Sequence, residues 1–512
     1  MQPMIRALGV VLASSALVLT GGTVALAEPQ QEPLQEQAIG KIDWQPCPEL
    51  AEVECGTLRV PIDWSKPRGE QFDLAVARRK ATKPDKRIGA MLINPGGPGG
   101  SGVNFALGAN RYFSPEISER FDIIGFDPRG VARSQPIKCS VDVLQREPSG
   151  YPTSQAEFDQ LVAYNKELRA DCRKESGPIY DHASTADVIQ DIDAIRRSIG
   201  ERKINYYGVS YGTIIGQHYA ERYGGKIRAM IIDSNMDHSI DTRGFIASEA
   251  RTAESSFLEF VKWSDRTESS ALHGKDVKKI WLELMAKADK GELFDPSGPE
   301  PRKVVPQELT GTNVGVAYGP DWKYFAEWIA ALHAGVPVPV QTPASAFAGQ
   351  TVNNPFPAVF CNDYNLRVKD FKEYSKLYEL EKRNAPLTRG STLGHGATVG
   401  CVGADPATNP QRQLKIRNAP KILLTNALYD PATAYEWAVN AHRQSRDTTV
   451  FVTYEGWGHG VYDRSECTRS INDRYLVDLK LPRNGARCAA VEPADSATLG
   501  TTPVIAGPWS LR

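Results

Sequence analysis

No C-x-x-C pair, no H-E-x-x-H and no G-x-x-x-x-G-K-[ST] occurs anywhere in the 512 residues. The first two absences, with eight histidines scattered along the chain, argue against a bound metal. The third argues against a phosphate loop. Charge of one sign is also missing: 60 Lys and Arg face 61 Asp and Glu, a formal net charge of −1. That balance gives no electrostatic reason to expect nucleic acid or an anionic membrane surface as a partner. There is no internal repeat, and no low-complexity segment beyond the N-terminus. No metal and no cofactor is expected.

Only one long apolar run is present. "ALGVVLASSALVLTGGTVALA" follows Arg6 and ends in Ala25-Leu26-Ala27. A basic start, an apolar stretch and an A-x-A exit mark a secretory signal peptide over 1–27. Small and glycine residues within the run, and the lack of a stop-transfer flank, favour cleavage over a membrane anchor. Residues 28–40 are polar and read as a flexible lead-in. The expectation is a secreted, extracellular monomer with no stable membrane insertion after cleavage. The eight cysteines (47, 55, 139, 172, 361, 401, 467 and 488) all follow the signal segment, and an even count in an exported chain favours disulfides. Neighbour pairing is the simplest of the possible connectivities: 47–55, 139–172, 361–401 and 467–488.

"FDLAVARRK" (72–80) alternates and reads as β, and short apolar runs that end in a turn follow through the first half: "GAMLINP" (89–95), "FDIIGFDPRG" (121–130), "KINYYGVS" (203–210) and "IRAMIIDS" (227–234). With helix-like stretches between them, they read as buried parallel strands. "STADVIQDIDAIRRSIGERK" is one such helix. Ser184 and Thr185 start it, Val188, Ile189, Ile192, Ile195 and Ile199 share a face, and Gly200 ends it. From about 240 to 415 helical pieces replace the strand pattern. Strands return at "APKILLTNALYD" (419–430) and "TTVFVTYEGWGHG" (448–460). The order implies an α/β fold: a mostly parallel central sheet flanked by helices, interrupted by a large, mainly helical cap insertion.

"YYGVSYGTIIG" (206–216) places Ser210 between Gly208 and Gly212, after a strand and before a helix. A tight strand–turn–helix presents a serine at the C-terminal edge of a sheet, and glycine at −2 and +2 removes Cβ atoms that would collide there. A serine hydroxyl needs a base to become a nucleophile and donors to stabilise the oxyanion. The partners should follow as acid and then histidine. Asp430 in "LYDPATA" and His459 in "GWGHG" stand just beyond the two late strands. Asp233, also at a strand end, is the rival acid, and Thr433 a possible supporting partner. The oxyanion donors expected are the N–H of Tyr211 and those of Gly96 and Gly97 in "NPGGPGGSG". Asp127, Arg129 and Arg133 in "GFDPRGVARS" read as a structural charge cluster.

Together "NPGGPGGSG", "GFDPRGVARS", "DIDAIRRSIG", "YYGVSYGT", "CNDY", "LYDPATA" and "GWGHG" resemble the secreted tripeptidyl aminopeptidases and proline iminopeptidase-like enzymes of the α/β-hydrolase superfamily, those of actinomycetes in particular. The resemblance covers nearly the whole chain after residue 40. Pro95 stands where proline iminopeptidases have the histidine of a His-Gly-Gly-Pro loop, which moves the chain towards the tripeptidyl branch. The resemblance implies an α/β-hydrolase core in two parts (41–240 and 416–512) around a cap (241–415). It implies a serine exopeptidase that removes short peptides from free N-termini, with Ser210 as nucleophile, His459 as base and Asp430 as orienting acid. Such an enzyme needs a carboxylate for the substrate ammonium, and Asp363 of "CNDY" is the candidate. Two other readings stay open. One is a secreted esterase or amidase acting on a small molecule or N-acylated metabolite. The other is a catalytically silent binding protein.

Overall fold

The computed structural model describes residues 40–297, 299–338 and 351–493. The expected signal peptide and nearly all of the lead-in lie outside them. Ten strands form the central sheet. They are β1 (Gln45–Pro46), β2 (Glu54–Pro61), β3 (Gln71–Arg79), β4 (Gly89–Asn94), β5 (Phe121–Phe126), β6 (Ile204–Val209), β7 (Ile227–Asp233), β8 (Ile422–Tyr429), β9 (Thr449–Trp457) and β10 (Ala486–Cys488). Their spatial order is β1-β2-β3-β5-β4-β6-β7-β8-β9-β10. The first three strands join antiparallel, as does β3 with β5. Every pairing from β5 to β10 is parallel.

The strand sequences follow from where their two faces go. In β4, Ala90 and Leu92 enter one apolar cluster while Met91 and Ile93 enter a second cluster across the sheet. A strand covered on both sides has no polar face, hence the unbroken apolar run. The first cluster takes in α3 (Thr185–Ser198) and α4 (Tyr211–Tyr223). In α3, Val188, Ile189, Ile192 and Ile195 are buried as their spacing predicts, and Gly200 just beyond has φ +74°. The second cluster takes in α1 (Gly102–Leu107) and α13 (Glu466–Asp478). The long α2 (Gln155–Ser176) precedes α3.

Between β7 and β8 the chain is mainly helical. It contains α5 (Thr242–Arg266), α6 (Val277–Lys290), α7 (Pro306–Ala317), α8 (Trp322–Ala334), α9 (Pro355–Asp363), α10 (Phe371–Asn384) and α11 (Thr392–Gly400). These helices have an apolar core of their own, with Phe257, Phe260, Trp281, Phe325 and Ile329 at its centre. Trp457 at the end of β9 joins that core, and its Nε1 donates to Glu259 Oε2 of α5 at 2.9 Å. α12 (Tyr435–Gln444) connects β8 to β9. The four disulfides are Cys47–Cys55, Cys139–Cys172, Cys361–Cys401 and Cys467–Cys488, the neighbour pairing. Among the described residues no helix is long and apolar enough to cross a membrane.

Candidate active site

Ser210 is the hinge between β6 and α4. Its backbone has φ +59° and ψ −125°, a conformation that non-glycine residues rarely hold. The glycines on either side are there for space. A Cβ on Gly208 would lie 2.5 Å from the Gly212 carbonyl oxygen, and one on Gly212 2.8 Å from Asn94. The strained turn is held by Ser210 N–H donating to the Asp233 carbonyl, and by Thr213 Oγ1 donating to the Ser210 carbonyl at 2.6 Å.

Asp430 leaves β8 and His459 leaves β9, so both stand at the same edge of the parallel sheet as Ser210. His459 Nδ1 lies 2.9 and 3.1 Å from the two Asp430 carboxylate oxygens, with both side chains fully buried. Asp430 also accepts from the N–H of Ala432 and Thr433, and from Thr433 Oγ1 at 2.9 Å. Burial pushes the Asp430 carboxyl up, but the adjacent imidazole and these donors outweigh it and leave it below the ordinary carboxylate value. Bonding at Nδ1 fixes which imidazole nitrogen is left to act. That nitrogen, Nε2, is buried and has no hydrogen-bond partner among the described residues, Ser210 included. In enzymes without substrate this last bond is commonly loose and tightens on binding.

The rival acid, Asp233, has a different task. Its carboxylate accepts from Tyr207 Oη at 2.7 Å and from the N–H of Val461 and Tyr462, the residues just after the histidine loop. Burial pushes its carboxyl up to about 6 against those donors. Ser234 Oγ accepts from Gly460 N–H at 2.7 Å. The end of β7 therefore holds the histidine loop from below. From above, the Tyr318 carbonyl accepts from His459 N–H at 2.9 Å, and the Tyr318 ring meets the imidazole edge-on at 5.0 Å.

The glycine loop after β4 lies against the serine turn, where a Cβ on Gly96 would sit 2.8 Å from both Ser210 Cβ and Tyr211 N. Of the three expected oxyanion donors, Gly96 is a correction: its N–H already donates to Asn94 Oδ1 at 2.9 Å. The N–H groups of Tyr211 and Gly97 have no acceptor among the described residues. Asp127 braces the loop by accepting from Ser101 Oγ and Val103 N–H. Arg129 forks onto Asp191 at 2.7 and 2.6 Å, fully buried.

Asp363 is the second correction. It is fully buried and accepts from Thr185 N–H, Thr185 Oγ1, Tyr211 Oη at 2.6 Å and Asn409 Nδ2. With those donors around it, no side of the carboxylate is open to an ammonium. It caps the N-terminus of α3 and steadies Tyr211 instead.

A different carboxyl was passed over in the sequence. Glu249 of α5 is buried, and its Oε2 accepts from Ser391 Oγ at 2.9 Å. Its Oε1 has no partner among the described residues. Burial raises its pKa well above the ordinary value, and the Asp430 and Glu381 charges add to that. Glu249 and Asp430 both act on Tyr318, which places the three in one electrostatic neighbourhood. The one signal in the sequence was a glutamate among alanine, serine and phenylalanine on the first turns of a cap helix.

Known proteins are similar to this chain over most of its length. The family profile described as alpha/beta hydrolase fold matches residues 89–274, and that described as TAP-like protein matches residues 387–488. A tripeptidyl aminopeptidase of Streptomyces lividans is 28% identical over 477 residues, 88% of this chain and 86% of its own. The serine protease Hip1 of Mycobacterium tuberculosis is 28% identical over 523 residues, 93% of this chain and 96% of its own. A protein of the same organism named carboxylesterase B is 29% identical over 524 residues, 94% and 98% of the two chains. The fold is the α/β-hydrolase fold and the chain is a serine hydrolase, similar over most of its length to the tripeptidyl aminopeptidases.

Proposed function

We propose that the protein is a secreted exopeptidase that releases short peptides, tripeptides by preference, from free N-termini. Ser210 Oγ attacks the scissile carbonyl while His459 Nε2 takes its proton. Asp430 keeps the imidazole oriented and stabilises its charged form. The Tyr211 and Gly97 N–H groups receive the developing oxyanion. His459 then gives its proton to the leaving amine, and water hydrolyses the acyl-enzyme by the reverse path. The relatives named tripeptidyl aminopeptidase and serine protease support the peptidase reading.

The observation that carries the N-terminal specificity is Glu249, a buried carboxyl that feels the Asp430 charge and has one oxygen without a partner among the described residues. A substrate ammonium would supply the missing partner and the charge that lets this acid ionise. An acetylated N-terminus would supply neither. Glu249→Gln should therefore lower kcat/KM on a free tripeptide by about thirtyfold, on the order of 2 kcal/mol for a charge-assisted hydrogen bond.

The test compares Ala-Pro-Ala-p-nitroanilide, its N-acetylated form, Pro-p-nitroanilide and p-nitrophenyl butyrate, with Ser210→Ala as control. Release from the free tripeptide alone is the expected result. The relative named carboxylesterase B favours a second reading, an esterase or amidase for small or capped substrates. Turnover of the butyrate and the acetylated peptide without the free one would establish it in place of the first.

A further inference from the structure

A cavity lies away from the triad. It encloses about 310 Å³ between α2, the start of α9 and α11, and no triad residue lines it. That size is within the range of small-molecule sites. Its walls are mostly apolar, with Leu144, Tyr164, Leu168, Phe356, Ala358 and Ala397 among them. Two half-cystines, Cys172 and Cys361, lie in the walls, and their disulfides tie α2 to Lys138–Ser140 and α9 to the end of α11. The walls are thus cross-linked in place, as a preformed site requires.

One charged group is buried in this lining. Arg169 is 8% exposed, and among the described residues its guanidinium donates only to the main-chain carbonyls of Asn165, Gly400 and Val402. Among the described residues it forms no ion pair. Asp405, whose field reaches it, is 84% exposed and lies 3.6 Å from Arg173. Glu147, the one carboxylate in the lining, is exposed to solvent. A buried cation answered only by dipoles is costly, and burial holds the Arg169 pKa below its ordinary value. A ligand that brings its own negative charge together with apolar surface would answer both the cation and the empty apolar walls.

We propose that this cavity is a binding site, separate from the triad, for a carboxylate that carries an apolar tail, with Arg169 receiving the carboxylate. The far side of α9 faces the catalytic centre, where Phe360 packs on the Tyr211 ring at 6.1 Å and Asp363 accepts from Tyr211 Oη. One helix therefore touches both the ligand and the residue whose N–H is a candidate oxyanion donor.

The test uses the full secreted chain with Ser210 blocked by a fluorophosphonate, so that the active site is closed to the probe. Fluorescent cis-parinaric acid is bound and then displaced with decanoate or with decanol. Saturable binding that survives the block, with decanoate at least tenfold stronger than decanol, is the expected result. Leu144→Trp fills the cavity from its partly exposed rim and should abolish binding while leaving p-nitroanilide hydrolysis unchanged. Arg169→Met, if it folds, should bring decanoate down to the level of decanol. No saturable binding, binding lost on blocking Ser210, equal affinity for acid and alcohol, or binding unaffected by Leu144→Trp would each overturn the proposal.

Discussion

His459 has one nitrogen committed to Asp430 and the other left open, which is the arrangement a general base needs. Ser210→Ala and His459→Ala should each lower turnover by at least about a thousandfold while leaving the fold intact. Fluorophosphonate labelling of Ser210 should vanish in His459→Ala. Asp363→Ala should behave differently. It strands Thr185 N–H and Tyr211 Oη, at a cost of about 2–4 kcal/mol in stability. Because the effect travels through Tyr211, kcat on the free tripeptide should fall while KM stays nearly unchanged. A rise in KM with kcat kept would restore Asp363 as the ammonium site. Ser210, Asp430 and His459 stand out in the sequence because each follows a strand with a recognisable turn. Asp363 was misread because its partners are invisible in one dimension: Thr185 lies 178 positions away and Tyr211 152. Glu249 was passed over because a glutamate in a helix ordinarily faces water, and only packing shows that this one does not.

Among the elements, the parallel strands were legible since burial on both faces leaves an uninterrupted apolar signature. β1, β2 and β10 were not: β1 and β10 are only two and three residues long, and β2, paired with β1 over two residues only, mixes polar and apolar residues. The junction of α10 and α11 illustrates a second kind of hidden contact. Both nitrogens of buried His395 face acceptors, Glu381 Oε2 and the Gly150 carbonyl, each at 2.9 Å. With Glu381 ionised, only the doubly protonated ring satisfies both. Burial would pull the His395 pKa down, but the Glu381 charge and these bonds outweigh it and raise it. A raised histidine pKa contributes stability that is complete below the unfolded value of about 6.5 and is lost as pH rises through the folded value. Denaturation midpoints of the native protein and His395→Gln should therefore differ most at acid pH and converge as the medium becomes alkaline. A gap that widens with pH would contradict the assignment.

Over the whole molecule, four covalent links supplement a core that already spans the sheet. The widest loop is closed by Cys361–Cys401, 40 positions apart, and it joins two cap helices rather than cap and sheet. Replacing both cysteines by serine should cost about 3–4 kcal/mol by loop-closure entropy. Urea titration followed by tryptophan fluorescence measures it, and an unchanged midpoint would show that packing alone sets the position of α9. Acid should act on the other half of the structure. The Asp430 carboxyl is held below its ordinary value, so its contribution is present above the unfolded pKa of about 3.9 and is lost as pH falls through the folded value. Asp430→Asn should flatten the acid limb of the stability profile.

The carbonyl of Tyr318 accepting from His459 N–H has a consequence for how such enzymes diversify. A cap that merely roofed the pocket could be exchanged between relatives like a module, and new substrate ranges could arise by recombination. Here the roof supplies part of the scaffold that steadies the base, so a transplanted cap would have to reproduce that acceptor before any chemistry occurred. Gradual substitution within an inherited cap is then the accessible evolutionary route, and laboratory efforts to redirect specificity should begin with single changes on α5 and α11 rather than with chimaeras.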